Sequence, residues 1–499
     1  MLALLLISSI LLPVFGGCSI LFLHLKDDAK RELLAEAVAI AASVLVWALI
    51  FMSGVFTGGL SAGAPAGEIT VFSFASGFSV SFAADGMSML FAGMISLMWP
   101  LVLLYAFAYM RKESRKNMFF GFFVMTYGIT LGVAFSANLL TLYVFFEMLT
   151  LVTIPLVAHY GNHESLFAAR KYAAYTIGGA ALAFFAVVLT GLHGAGSSFI
   201  YGGSLSGEIS LHLLRVAFLL GFFGFGTKAA VFPFYDWLPT ASAAPTPVTA
   251  LLHAVAVVNS GAFAVMRLTY YVVGPDILYG TRTHRACLVA AAFSLVFAGA
   301  MAVRERHFKR KLAFSTMSNL SYMLLGAMMM SSAGFKGGLM HMLFHGIIKM
   351  SLFLCAGAFM HETGKSYVYE IDGAGRKMPV TFTCYTLGAL SLIGIPGFCG
   401  FLSKWQLLTA GAEEGTMYGV LGCAALITAA FLCAIYSLTV TVRAFFPVRG
   451  KDLYAGTNLK EASREMLIPI VFFTAANVAL GLFGGPVTDF IGQIAGGMI

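Results

Sequence analysis

Apolar runs of about 20 residues recur along almost the whole chain. An α-helix of that length crosses the hydrocarbon core of a bilayer. Of the 499 residues, 59% are hydrophobic and only 10% are charged, which excludes an ordinary soluble domain. The sequence therefore predicts an all-α, polytopic membrane protein.

About fourteen segments are long and apolar enough to be membrane spans. The first has no basic region before it, which favours a membrane span over a cleaved signal peptide. The predicted spans are residues 2–24, 33–56, 86–109, 117–136, 138–158, 166–192, 212–235, 247–272, 285–303, 312–332, 337–360, 379–410, 416–446 and 466–490.

Basic residues are concentrated in alternate loops and account for the formal net charge of +8. On the predicted topology, 22 of the 30 Lys and Arg residues lie on one side of the membrane and three on the other. Cytoplasmic loops carry such an excess. The charge therefore indicates topology and not nucleic-acid binding. We expect a multi-pass protein of the inner (plasma) membrane with both termini on the non-cytoplasmic side.

Three ionisable residues form one stripe in the predicted eleventh span, within GGLMHMLFHGIIK. His341, His345 and Lys349 are spaced by four residues, so they share one helix face. Each costs about 2.5–3.5 kcal/mol or more at mid-bilayer unless it faces water or a partner. The stripe favours a proton or cation path. The alternative is histidines that only form hydrogen bonds between packed helices.

Single charges lie inside three other predicted spans. Glu147 is in span five, Lys228 in span seven and Lys404 in span twelve, and both lysines have Gly and Pro neighbours. Gly and Pro beside a buried charge permit a broken helix whose free backbone groups line a wet cavity. The alternative for Glu147 and Lys228 is an ion pair that only holds helices together.

The settings of Lys228 and Lys404 repeat five spans apart, and an odd offset means opposite directions in the membrane. The pattern suggests two inverted five-helix repeats. We expect an N-terminal three-helix region at 1–116, a first repeat at 117–272 (helices 4–8), a second at 285–446 (helices 9–13) and a C-terminal helix 14 at 466–490.

His253 and the segment between spans two and three also allow predictions. His253 in span eight is either a proton relay or an interhelical hydrogen bonder. The segment EITVFSFASGFSVSF, between spans two and three, predicts a β-hairpin with its turn at Ser76 and Gly77.

Cofactor and metal ligands are not evident in the sequence. The seven cysteines show no C-x-x-C spacing, and no Gly-rich nucleotide loop follows a strand. We therefore expect no metal and no cofactor in this chain.

Five stretches resemble the antiporter-like subunits of respiratory complex I, Mrp-type Na⁺/H⁺ antiporters and membrane-bound hydrogenases. They are FFEMLTL, LPTASAAPTPVTALLH, FKRKLAFSTMSNLSY, HMLFHGIIKMSLF and GIPGFCGFLSKW, within residues 80–410. The resemblance implies fourteen helices, two inverted repeats and broken helices seven and twelve. It also implies an ion path in which Glu147 and Lys228 form the first pair, His341, His345 and Lys349 the connection, and Lys404 the terminal site.

The chain departs from the family pattern in span eight. Many members have a lysine near the position of Asn259, so here the connection rests on His253 or on water. A histidine common after the LP of the preceding loop is also absent, with Ser242 nearby.

These features together predict an ion-translocating subunit of a multisubunit complex. It moves H⁺, with exchange against Na⁺ left open, and has other membrane subunits, the ions and lipid as partners. We expect a non-redox subunit of a larger oxidoreductase or antiporter complex. One alternative is a subunit that acts mainly in electron transfer in an NADH/ferredoxin oxidoreductase or hydrogenase; another is an independent solute transporter.

Overall fold

Helices make up most of the protein in the computed structural model, which describes residues 1–23, 25–54, 66–75, 78–193, 198–205, 209–448 and 452–498. The helices are α1 Leu2–Phe22, α2 Asp28–Met52, α3 Gly86–Tyr109, α4 Lys116–Ala134, α5 Leu139–Val157, α6 His163–His193, α7 Leu211–Gly226, α8 Trp237–Ala241, α9 Thr246–Ala254, α10 Val257–Arg267, α11 Pro275–Leu278, α12 Arg282–Arg304, α13 Phe308–Met328, α14 Ser332–Thr363, α15 Pro379–Ile393, α16 Cys399–Glu413, α17 Met417–Phe445, α18 Arg464–Phe483 and α19 Gly485–Ala495. A π-helix, Leu268–Val273, continues α10.

Eleven segments among the described residues are long and apolar enough to cross a bilayer. One of them, Thr246–Val273, comprises α9, α10 and the π-helix, while α7 and α15 are apolar but shorter. The 21-residue α13 is long enough to span, but it contains many basic, hydroxyl and amide side chains. The predicted polytopic, all-α membrane fold is confirmed.

Three of the predicted spans are interrupted in the structure. α7 ends at Gly226 and an irregular segment leads to α8, whereas residues 394–398 separate α15 from α16. The third break, at Val255 and Ala256 between α9 and α10, was not predicted from the sequence. There the Asn259 side chain donates a hydrogen bond to the Ala254 carbonyl oxygen at 2.8 Å. An amide side chain thus satisfies a carbonyl that the break leaves free. The inverted relation of the two repeats stays a prediction.

The predicted hairpin is present as two antiparallel strands, β1 Ala66–Ala75 and β2 Phe78–Ala84. The predicted turn residues, Ser76 and Gly77, lie outside the described residues. The Ser81 amide donates to the Thr141 hydroxyl at 2.9 Å, so β2 rests on the first turn of α5. The hairpin therefore covers the end of the bundle at which α5 begins.

The helix that carries the histidine stripe, α14, lies in the middle of the bundle. It packs against α3, α9, α13, α15, α16 and α18. Of its most apolar 18-residue window, 94% is buried inside the protein, compared with 33% for α17 or α18. The stripe residues therefore face protein and not lipid.

Several basic loops meet at one face of the bundle. The Phe308 amide donates to the Ser366 carbonyl at 2.8 Å, and the Gly373 amide donates to the Arg443 carbonyl at 3.0 Å. These contacts join the start of α13 and the end of α17 to the segment between α14 and α15, and the charge pattern assigned all three to the same side. An excess of basic residues on one face is the arrangement that orients membrane proteins.

A buried ion pair anchors the N-terminus of α3 at the opposite face. Both Arg267 terminal nitrogens lie 2.6 Å from the Asp85 carboxylate, and the Arg267 side chain is fully buried. Its guanidinium also stacks on the Tyr271 ring, 4.4 Å from the ring centroid. Asp85 caps α3 by accepting a hydrogen bond from the Ser88 amide at 2.8 Å. The pair therefore connects the start of α3 to α10.

Replacing Arg267 by Ala leaves the Asp85 carboxylate without its cation in a mostly buried site. We expect the free energy of unfolding to fall by about 3–5 kcal/mol, because breaking a buried pair leaves one buried charge uncompensated. Denaturant unfolding in mixed micelles measures this change. The exposed Arg282 is the control, and Arg282→Ala is expected to change stability by less than about 0.5 kcal/mol. Equal stability of the two variants would contradict a structural role for the pair.

Candidate ion-translocation site

Glu147 and Lys228 are adjacent in the structure. The Lys228 ammonium nitrogen lies 3.9 Å from a Glu147 carboxylate oxygen; the lysine side chain is fully buried and the carboxylate is 23% exposed. The same ammonium donates to the Phe146 carbonyl and lies 3.6 Å from the centroid of the Phe146 ring. The pair is therefore in contact but loose, since the lysine's hydrogen bond goes to the backbone of α5.

The break after α7 brings the Lys228 backbone directly against α10. A Cβ atom on Gly261 would lie 2.6 Å from the Ala229 amide nitrogen and 2.9 Å from the Lys228 carbonyl carbon. Only glycine permits this approach of two backbones. Gly261 therefore permits the close packing of the Lys228 backbone against α10.

The middle of the bundle contains His253 and Asn259 on either side of the break between α9 and α10. Both ring nitrogens of His253 and the Asn259 side-chain oxygen are buried without a hydrogen-bond partner among the described residues. The His253 ring contacts Phe353 of α14, with 4.9 Å between centroids. No described hydrogen bond joins His253 to Lys228 or to α14.

The stripe on α14 is polar at both ends. The His341 ring nitrogens lie 2.9 Å from the Ser403 hydroxyl and 3.1 Å from the Asn319 side-chain oxygen. The Lys349 ammonium donates to the Ser315 hydroxyl at 2.7 Å and to the Leu312 carbonyl at 3.1 Å.

His345, between them, has no described partner for either ring nitrogen. Its ring stacks on that of His341 with 6.2 Å between centroids. The three predicted stripe residues therefore share one buried face of α14, with an unpartnered ring in the middle.

Lys404 lies in α16, and its side chain reaches back to the break between α15 and α16. Its ammonium donates to the Leu392 carbonyl at 2.6 Å and is 3.3 Å from the Ile393 carbonyl oxygen. It also lies 4.6 Å from the centroid of the Tyr322 ring, which in turn is 5.0 Å from the His341 ring. Lys404 is thus in contact with the end of the stripe through one aromatic ring.

The structure brings the seven predicted site residues to three neighbouring places in the bundle interior. Glu147 and Lys228 form the first, His253 lies at the second, and the α14 stripe leads to Lys404 at the third. Contact is direct in the first place, whereas in the third the Tyr322 ring lies between Lys404 and His341. The ring nitrogens of His253 and His345 and the Asn259 side-chain oxygen have no hydrogen-bond partner among the described residues.

Two tyrosines of the site, Tyr322 and Tyr436, were not singled out from the sequence. Tyr436 exchanges a hydrogen bond of 2.6 Å with Ser315, and Tyr322 separates Lys404 from His341. Ser315 and Asn319 could be recognised in the sequence as polar residues inside a membrane span, since both belong to the unusually polar span ten. Tyrosines are common in membrane helices, so nothing in the sequence distinguished Tyr322 and Tyr436.

The part of the chain that the structure describes contains no group of three or more His, Cys, Asp or Glu side chains able to hold a metal ion. All seven cysteines have free thiols. The Lys, His, Glu, hydroxyl and carbonyl groups of the site can transfer protons and bind cations.

A profile of the transmembrane region of the NADH:quinone oxidoreductase/Mrp antiporter family matches residues 136–431, more than half of the chain. The chain belongs to this family. A second profile, for the N-terminus of chain 5 of NADH-ubiquinone oxidoreductase (complex I), matches residues 72–120.

Two curated relatives in the family are Na(+)/H(+) antiporter subunits. The one designated A in Alkalihalophilus pseudofirmus is 31% identical over 440 residues, covering 82% of this chain and 53% of the relative. The one designated A1 in Staphylococcus aureus is 29% identical over 437 residues, covering 83% of this chain and 54% of the relative. The chain thus spans about half the length of these relatives.

Two solved structures share the fold. A chain of the Mrp complex from Dietzia sp. superposes with a TM-score of 0.84 over 100% of this chain and 98% of its own length, at 20% identity. A chain of the archaeal membrane-bound sulfane sulfur reductase gives a TM-score of 0.84 over 98% and 97%, also at 20% identity. At these identities the comparison establishes the family fold alone.

Gly261→Ala is expected to destabilise the protein by about 1–3 kcal/mol, because its methyl group overlaps the backbone beside Lys228. Gly178→Ala is the matched control, since a Cβ there meets nothing within 4 Å. Denaturant unfolding in mixed micelles measures both changes. Equal effects of the two substitutions would show that the approach at Gly261 is not tight.

Proposed function

We propose that this chain is an ion-translocating membrane protein that moves H⁺ along buried Glu, Lys and His side chains as part of a larger complex. The observation that carries the proposal is the set of seven ionisable side chains inside an apolar bundle. Placing an ionisable group at this depth in a membrane costs free energy, and such groups typically mark ion pathways. The names of the family's curated relatives, which are Na(+)/H(+) antiporter subunits, support it.

Other membrane subunits are its proposed partners. Both solved neighbours are chains of multisubunit membrane complexes. We place the assembly in the inner (plasma) membrane with both chain termini on the non-cytoplasmic side. The concentration of basic loops on one face supports this orientation. The redox reaction of any such complex belongs to its other subunits, and this chain supplies the ion path.

Entry of a proton is controlled by the Glu147–Lys228 pair. At 3.9 Å, two opposite charges attract by about 4 kcal/mol at an effective dielectric constant near 20. A cation or conformational change that draws Glu147 away removes that attraction. Lys228 then holds its proton less tightly and releases it. Its bond to the Phe146 carbonyl keeps the ammonium in place during the change.

Transfer through the middle of the bundle depends on His253 and His345. Their ring nitrogens and the Asn259 oxygen are buried and without a partner among the described residues. Buried polar groups are almost always satisfied, by protein or by water. We propose that water molecules bridge these atoms and carry the proton to the α14 stripe. Water here takes the place of the lysine that many family members have near Asn259.

Lys404 is the proposed terminal site. Its side chain extends from α16 to the break of the twelfth span, where the ammonium rests on the Leu392 and Ile393 carbonyls. The residue is partly exposed, unlike Lys228 and Lys349. A proton that arrives through His341 can therefore leave the protein from Lys404. Exchange against Na⁺ is a second candidate, supported by the relatives' names.

Glu147→Gln and Lys404→Ala are each expected to abolish transport, because each removes a titratable group from the path. Proton and Na⁺ fluxes in vesicles that contain the whole complex measure this effect, with protein content determined by immunoblot. Lys30→Ala is the control, because that side chain is exposed. Wild-type fluxes in both site variants would exclude these residues from the mechanism.

His345→Ala is expected to slow proton flux by about 10²-fold or more, as loss of a positioned proton-transfer group does in enzymes. The matched control is His361→Ala on the same helix, since His361 lies near the end of α14 and contacts Glu362 instead of the stripe. Stopped-flow quenching of a pH dye inside the vesicles measures the rate. Equal rates for both variants would place the path elsewhere.

A further inference from the structure

Asn477 lies in α18, outside the residues that the main family profile matches. It is the only carboxamide side chain in that helix and is 1% exposed. A buried amide in an apolar span requires hydrogen-bond partners. The partners of Asn477 show which part of the bundle α18 holds in place.

The Asn477 side-chain oxygen contacts both halves of the broken twelfth span. It accepts a hydrogen bond from the Ser391 hydroxyl at 2.6 Å and one from the Cys399 thiol at 3.1 Å. Ser391 lies in the last turn of α15, and Cys399 is the first residue of α16. The Ser391 oxygen also accepts from the Gly400 amide at 3.2 Å. One carboxamide therefore connects the two half-helices.

α18 touches the break again one turn later. A Cβ atom on Gly481 would lie 2.4 Å from the Gly397 carbonyl oxygen and from the Phe398 Cα atom. Glu461, just before α18, accepts a hydrogen bond from the Val380 amide at 2.8 Å and one from the Thr381 hydroxyl at 2.5 Å. The same stretch of chain thus holds α15 at both ends.

The residues held in this way are next to those that bind Lys404. Ser391 immediately precedes Leu392 and Ile393, whose carbonyl oxygens lie 2.6 Å and 3.3 Å from the Lys404 ammonium. These carbonyls are available because α15 ends at Ile393. Any shift of Ser391 therefore changes the geometry at the ammonium.

We propose that Asn477 is a positioning residue for Lys404: it fixes the two half-helices so that the α15 carbonyls stabilise the protonated lysine. The inference rests on the proposed function and adds α18 to the terminal site. Hydrogen bonds to the charged form of a group favour that form. Loss of the Asn477 oxygen therefore lets Lys404 release its proton at a lower pH.

Other groups also act on Lys404 and must be held constant in a test. Tyr322 of α13 lies under its ammonium; His341 and Lys349 of α14 and Cys433 of α17 interact with it electrostatically. α15 and α18 contribute uncharged groups at the break. Substitution of Asn477 leaves all four titratable neighbours in place.

Asn477→Leu removes the carboxamide and keeps the size of the side chain. Proton flux by the whole complex in vesicles is measured from pH 6 to pH 10. The alkaline limb of this profile, in which flux falls as the pH rises, is expected about one pH unit lower than in the wild type. Asn477→Asp keeps the acceptor oxygen, so its limb stays at the wild-type pH or above. A residue that only stabilises the fold would change the amount of protein and not the limb.

Thr474→Val is the matched control. Thr474 lies one turn earlier on α18, is 5% exposed and exchanges a hydrogen bond with Ser351 of α14, away from the break. Its substitution is expected to leave the alkaline limb unchanged. If Asn477→Leu does not accumulate in the membrane, Ser391→Ala, which removes the donor to the Asn477 oxygen, is expected to give the same shift.

A wild-type pH profile for Asn477→Leu, or an equal shift in Thr474→Val, overturns the positioning role. Lys404→Ala separates this failure from failure of the proposed function. If Lys404→Ala transports normally, the function itself is wrong. If it is inactive while Asn477→Leu has the wild-type profile, the function stands and only the role of Asn477 is rejected.

Discussion

The fold depends on how an apolar bundle accommodates Lys228, Lys349 and Lys404. Each costs about 2.5–3.5 kcal/mol or more at mid-bilayer unless it is solvated or paired. Here each ammonium rests on backbone carbonyl oxygens: Lys228 on Phe146, Lys349 on Leu312, and Lys404 on Leu392 and Ile393. Of the three, Lys228 alone also faces a carboxylate among the described residues. Neutral acceptors stabilise the charge without fixing it as firmly as a close carboxylate does, and this suits groups that gain and lose protons.

The break of the twelfth span serves the same purpose at Lys404. A helix that ends inside the bundle leaves its last carbonyls unpaired and available to a cation, whereas Lys228 and Lys349 rest on carbonyls of the continuous helices α5 and α13. The end of α15 at Ile393 supplies the Lys404 site in this way. The breaks in turn need contacts with neighbouring helices. Beside Lys228, α10 packs closely at Gly261; beside Lys404, Asn477 of α18 accepts a hydrogen bond from Ser391. The uninterrupted α14 joins these places through the centre of the protein.

Much of this arrangement was predictable from the sequence, because an isolated charge in an apolar span is conspicuous. Glu147, Lys228, Lys404 and the α14 stripe were identified in this way, and the structure brings them to neighbouring positions. The break at Val255 and the contacts of Asn477 were not identified. Neutral amides and hydroxyls are common in membrane helices, and their roles depend on which helix they face, which spacing along one chain does not specify.

In the proposed path, water joins the ionisable groups where side chains do not meet. A structure of the whole complex at a resolution that shows ordered water tests it most directly. We expect water molecules within hydrogen-bond distance of the His253 and His345 ring nitrogens and of the Asn259 side-chain oxygen. Apolar side chains filling that space, with no ordered water between Lys228 and His345, would contradict it.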